Sequence, residues 1–182
     1  LFSSCNTVYA SEDIGSSRIS PASSFYFLKT IRENIELKLA ATPRVKMLRE
    51  LEFATRRLRE VKSLIPTNHQ DLIEPTLERY WFHLQRLPNL NLEYKESLSI
   101  HMETLQIVYG QVSSKGAKMA IRAAINRIIQ RVDVPNSARL PACNFLTKEA
   151  SSSGLTEVEK VILLERAQKC FKYTYLNPLP NL

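Results

Sequence analysis

The most concentrated chemistry in this sequence is positive charge. Residues 115–131 hold Lys115, Lys118, Arg122, Arg127 and Arg131 and no acid. Residues 44–62 hold Arg44, Lys46, Arg49, Arg56, Arg57, Arg59 and Lys62 against Glu50, Glu52 and Glu60. The whole chain carries only +7, so everything outside these two stretches is slightly acidic and the basic character is local. Cations unrelieved by acids suit a polyanion, whether nucleic acid, an anionic lipid surface or a cell-wall polymer. In the earlier stretch Glu52 and Arg56 stand in the i,i+4 order that pairs charges along a helix, which reads as a solvated, internally paired face.

Other reactive residue types are sparse. The three cysteines are Cys5, Cys143 and Cys170. If residues 1–10 are removed in maturation, Cys143 and Cys170 remain, and they read either as one disulfide or as two buried free thiols. A disulfide closing the stretch between them would be worth about 3–4 kcal/mol. His69, His83 and His101 form no i,i+4 pair and have no acidic cluster beside them, so they read as histidines at the edge of a core rather than metal ligands. Phe25-Tyr26-Phe27 and Tyr80-Trp81-Phe82 are runs of three aromatics. Three in a row cover most of a helix circumference, so they read either as a helix packed on two sides within a small bundle or, at Phe25, Tyr26 and Phe27, as candidate contacts to a partner. No glycine-rich phosphate loop, nucleophile elbow, His–Glu zinc motif or EF-hand loop occurs. The expectation is no enzyme, with no catalytic, cofactor-binding or metal-binding residue to name.

The elements that must position these residues read as helices. Glycine occurs only four times, at 15, 110, 116 and 154, and helix interiors avoid it. Residues 24–41 carry Leu28, Ile31, Ile35 and Leu39 at helical spacing, predicting one inward face. Thr42-Pro43 then caps and starts a second helix to Ile65, with Leu48, Leu51, Leu58, Val61 and Ile65 as its stripe. A third helix follows Pro75 up to Pro88. A fourth spans about 92–109, with Leu98, His101, Leu105 and Val108 inward and Gly110 as its C-terminal cap. A fifth spans about 115–132, with Ile121, Ile125, Ile128 and Val132 inward. Pro135, Pro141 and Gly154 mark residues 133–154 as a long loop, with room for a helical turn at Asn144 to Ala150 inside it. A sixth helix from Thr156 to Tyr173 opens on the Thr156/Glu159 capping-box spacing and presents Val158, Val161, Ile162, Leu164 and Phe171. The expected fold is all-α, a bundle of five to six helices opening with an antiparallel helical hairpin.

Ahead of these helices, Val8-Tyr9-Ala10 has the small-x-small spacing of a signal-peptide cleavage site. Residues 1–10 are read as a residual signal peptide, 11–22 as a flexible lead-in and 23–182 as a single domain. No stretch reaches the ~18 apolar residues of a spanning helix. Pro21-Ala22-Ser23-Ser24-Phe25-Tyr26-Phe27-Leu28-Lys29, then Ile31 to Ile35, then Thr42-Pro43, then Arg49 to Val61 with its Ala54-Thr55-Arg56-Arg57-Leu58-Arg59-Glu60 core, resemble an exported bacterial helical domain of unknown function, family 5667. The match departs at Ala41, where that family usually has Asp or Phe before the proline, and in the extra arginines of the second helix. The resemblance implies export, a helical hairpin at the start, and no enzyme; no site residue carries over. The sequence thus leads to a non-enzymatic, extracytoplasmic module, of the cell envelope or secreted, that binds another protein. The alternative is an envelope polymer, or less favoured a nucleic acid, held by residues 115–131.

Overall fold

The computed structural model describes residues 14–88, 94–131, 134–152 and 154–176. The export-signal reading of residues 1–10 falls outside them, as do Leu92 and Val132. Seven α-helices run in order: α1 (Tyr26–Lys38), α2 (Pro43–Leu64), α3 (Ile73–Leu84), α4 (Lys95–Gln111), α5 (Lys115–Ile129), α6 (Asn136–Ala150) and α7 (Glu157–Leu176), with a 3₁₀ turn at Gln70–Leu72. The chain is all-α among the described residues, and its helix count exceeds the five to six expected.

The extra helix is α6, which occupies the segment read as a long loop. Its buried side chains Ala138, Ala142, Leu146 and Ala150 recur every fourth residue and share one face. Pro135 is the N-cap residue, where a missing N–H costs nothing, and the next two bonds of the turn run from Ala138 and Arg139 back to its carbonyl (3.0 and 2.9 Å). Pro141 lies inside the helix. Its missing backbone bond is offset by packing on α7 and by the Cys143–Cys170 disulfide, which joins these two helices.

Local signals fix the starts of α2, α5 and α7. The Thr42 hydroxyl accepts from the Val45 N–H (3.2 Å) and Pro43 takes the first helical position. The Ser114 hydroxyl accepts from the Ala117 N–H (3.4 Å). Thr156 and Glu159 exchange bonds in a capping box, backbone N–H to carboxylate at 2.8 Å and backbone N–H to hydroxyl at 3.3 Å. Pro75 is the third residue of α3, within the first turn where backbone donors need no partner. Gly110 does not cap α4 but sits inside its last turn.

One continuous core runs through α2 to α7, with Leu58, Tyr80, Leu98, Ile121, Leu146 and Leu163 among its members. Pairing across elements shows the register. Met47 and Thr55 of α2 meet Tyr94 and His101, which places α4 parallel to α2. Asn136 and Cys143 of α6 meet Thr174 and Cys170, which places α7 antiparallel to α6. No residue of α1 belongs to the core cluster. On α7 the buried set is Leu163, Ala167, Cys170 and Thr174. The stripe expected there is largely outward: Val158, Val161, Ile162 and Leu164 are exposed. This helix is apolar on more than one side, and the small Ala167 and the disulfide decide which side packs.

Candidate functional site

Helix α1 is amphipathic, but its orientation is the reverse of the usual one. Phe25, Phe27, Leu28, Ile31, Ile35 and Leu39 are each 51–76% exposed. The stripe predicted to face the core therefore faces solvent. Full burial of such side chains is worth roughly 1.5–3 kcal/mol each, and about half of that is unrealised here. Val45 and Leu48 at the start of α2 extend the exposed apolar surface.

The polar face of α1 packs inward instead, against charges of α2. Lys29 Nζ lies 2.6 Å from Glu60 Oε1. The Tyr26 hydroxyl donates to Glu60 Oε2 (2.9 Å) and accepts from Arg57. Arg57 also pairs with Glu33 and, at 3.0 Å, with Glu60. Arg56 reaches Glu33 (3.4 Å), Glu36 (3.3 Å) and Glu52 (2.6 Å). Partners fall in number along α2 as they rise along α1, so the two helices form an antiparallel hairpin. Arg57 and Glu60 are 2% and 0% exposed. Burying ions is costly unless each is paired and hydrogen-bonded, and this cluster pairs Lys29, Arg56 and Arg57 with four carboxylates. Burial, then the Glu60 charge, holds the Tyr26 phenol well above its ordinary range. The three aromatics singled out as partner contacts thus divide: Phe25 and Phe27 point outward, and Tyr26 is built into the ion cluster.

A cleft of about 500 Å³ lies beside this helix, between residues 16–19 and the α1–α2 pair. Lys29 Nζ and the Ser17 hydroxyl are hydrogen-bonded across it (3.1 Å), and Arg59 donates to the Ile14 carbonyl. The segment expected to be a flexible lead-in is tied to α1 and α2 by these bonds, and Ile14 packs on the core. A second cleft, about 520 Å³, lies between α5 and α7 beside Gln130, Glu165, Arg166 and Lys169. Among the described residues neither cleft brings two carboxylates together.

The basic run of α5 is dispersed by the fold. Lys115 is 3.7 Å from Glu159. Lys118 sits over the Tyr109 ring. Arg122 is buried and bonded to Glu149 (3.2 Å). Arg127 pairs with Glu78 (2.8 Å) and lies over Trp81. Arg131 is buried and donates to the Leu84 carbonyl (2.9 Å). The five cations do not share one face.

His83 and His101 are built into the interior, whereas His69 is exposed. His101 is fully buried, with Nε2 2.8 Å from the Thr55 hydroxyl and Nδ1 3.3 Å from the Tyr80 hydroxyl. Thr55 spends its hydrogen on the Leu51 carbonyl (3.0 Å). Nε2 must then carry the proton, and Nδ1 accepts from Tyr80. Burial, then the Arg59 charge, lowers the His101 pKa from 6.5 to about 3. His83 Nδ1 is 2.7 Å from Glu50, which Arg86 also contacts (3.2 Å). Burial raises the Glu50 carboxyl, but His83 and then Arg86 outweigh it and hold it below the ordinary range. Among the described residues no group of three His, Cys, Asp or Glu is placed to hold a metal ion, and no helix is long and apolar enough to cross a membrane.

Sequence reasoning found the aromatic run but not the ion cluster that turns it outward. The signal was present: Lys29, Glu33 and Glu36 line one side of α1, and Glu52, Arg56 and Glu60 line one side of α2.

The fold and this surface define a helical module with an outward-facing apolar helix at its start. The family described as Domain of unknown function (DUF5667) matches residues 18–115, more than half of the chain, and the chain belongs to that family. No curated protein matches the chain, and no solved structure does.

Proposed function

We propose that this chain is a non-enzymatic docking module, acting outside the cytoplasm, that binds another protein through the outward apolar face of α1. The observation that carries the reading is the orientation of α1: Lys29, Glu33 and Glu36 pair with α2 while Phe25, Phe27, Leu28, Ile31, Ile35 and Leu39 are left to solvent. A contiguous exposed apolar surface on a folded chain marks an interaction site. The buried Cys143–Cys170 disulfide supports an oxidising compartment, in the envelope or beyond it. Polyanion capture by residues 115–131 is the weaker reading, because Arg122 and Arg131 are buried and Arg127 is paired.

Site-specific photocrosslinking in expressing cells tests it. A benzophenone side chain at Ile31 should give a discrete adduct that the same group at Glu103, exposed on α4, does not give. Phe27→Ser should abolish the adduct without altering the far-ultraviolet dichroism, since Phe27 lies outside the core. Identical adducts from both positions, or none from Ile31, would overturn the proposal.

A further inference from the structure

The geometry points to a specific kind of occupant: we infer that the outward face of α1 and the cleft beside it form one groove for an amphipathic peptide segment with acidic residues along one edge. This rests on the docking role proposed above and adds the chemistry of what docks. Leu28 belongs to both surfaces, being exposed in the apolar stripe and part of the cleft wall, so the two are continuous. Among the described residues its wall carries five cations and one acid, Glu52. Its charges are not equally available. Lys29 is held by Glu60 and Arg56 by three carboxylates. Arg18, at the rim, makes no hydrogen bond or ion pair among the described residues. The Arg32 side chain is 73% exposed, and its partner Glu36 is shared with Arg56.

Shape and composition together select the occupant. A chain of phosphates would satisfy Arg18 and Arg32 but leave Leu28, Ile31 and Ile35 wet. A bilayer surface would cover the apolar stripe, but it is too flat to enter a cleft of about 500 Å³ with charged walls. A peptide can lay apolar side chains along Leu28, Ile31 and Ile35 and send a carboxylate to Arg18 and Arg32 from the same segment.

Two labelled 13-residue peptides, the length of α1, separate these terms by fluorescence anisotropy with the intact chain. Both carry leucines at helical i,i+3/i+4 spacing; one has glutamates and the other lysines at the polar positions. The acidic peptide should bind more tightly by about tenfold or more. Arg18→Glu with Arg32→Glu should reverse that preference; Arg18→Gln alone should weaken it several-fold. Equal binding of both peptides, lost on Ile31→Ser, would overturn the charge inference and leave the docking face standing. Binding of neither peptide, with uptake onto phosphatidylglycerol vesicles that Ile31→Ser abolishes, would overturn both in favour of a lipid surface. A dimer of the chain alone that Ile31→Ser dissociates would overturn the inference in favour of a second copy.

Discussion

At the scale of single residues, the polar groups in the interior are placed by pairing rather than by exclusion. His101 shows what this costs in acid. Its folded pKa is about 3 against an ordinary 6.5, so below pH 6.5 the unfolded chain binds a proton that the folded chain refuses. Stability is therefore full above about pH 6.5 and falls as pH drops toward 3, by up to about 1.4 kcal/mol per pH unit. Glu50 adds to this lower down: its folded pKa is depressed, so its contribution is present above the ordinary carboxylate range and lost below it. Urea unfolding at pH 7 and pH 5 should differ by roughly 2 kcal/mol. His101→Gln should flatten the profile between those values, even if it lowers the plateau; an unchanged slope would exclude His101 as its source. The sequence shows that His101 lies on an apolar face. It cannot show Thr55, 46 positions away, whose hydroxyl fixes the tautomer.

At the scale of elements, α1 is a helix held by paired charges and by Tyr26 rather than by the core. Glu33 is its one buried residue, contacting both Arg56 and Arg57. Removing one partner from a buried ion cluster costs roughly 3–5 kcal/mol. Because α1 contributes nothing to the core, that cost should fall on its docking and not on the fold. Hydrogen exchange of Glu33→Ala should show amides 26–38 unprotected while those of α2 to α7 keep their native rates; loss of protection throughout would mean that α1 is integral to folding. What was legible here follows the same division. Helical spacing at Leu28, Ile31, Ile35 and Leu39 announces a helix and an apolar face, but spacing says nothing about where that face points. The answer lies in charge complementarity with α2, a relation between two helices that neither pattern contains. In α6 the fourfold spacing of Ala138, Ala142, Leu146 and Ala150 was legible, and two prolines masked it because their effect depends on position in the helix. The starts of α2 and α7 were legible because their caps, Thr42 and Thr156, act within three residues.

At the scale of the whole molecule, α2 to α7 share one core while the family match stops at residue 115, the first residue of α5. The helices beyond it complete the burial of those before it: Ile121, Ile125 and Ile128 belong to the same cluster as Leu77, Tyr80 and Leu98. The disulfide closes this second half across 27 positions. Opening it should lower unfolding stability by about 3–4 kcal/mol, read as a lower melting temperature for chain reduced in denaturant and then refolded with its thiols blocked. Added to native protein, a reductant meets a different obstacle, since Cys143 and Cys170 are 0% and 1% exposed. No thiolate can line up on either sulfur until α7 lifts from α6. The bond is in effect a stopwatch: at high reductant, the rate at which thiols appear ceases to depend on reductant concentration and equals the frequency with which the C-terminal helix peels away.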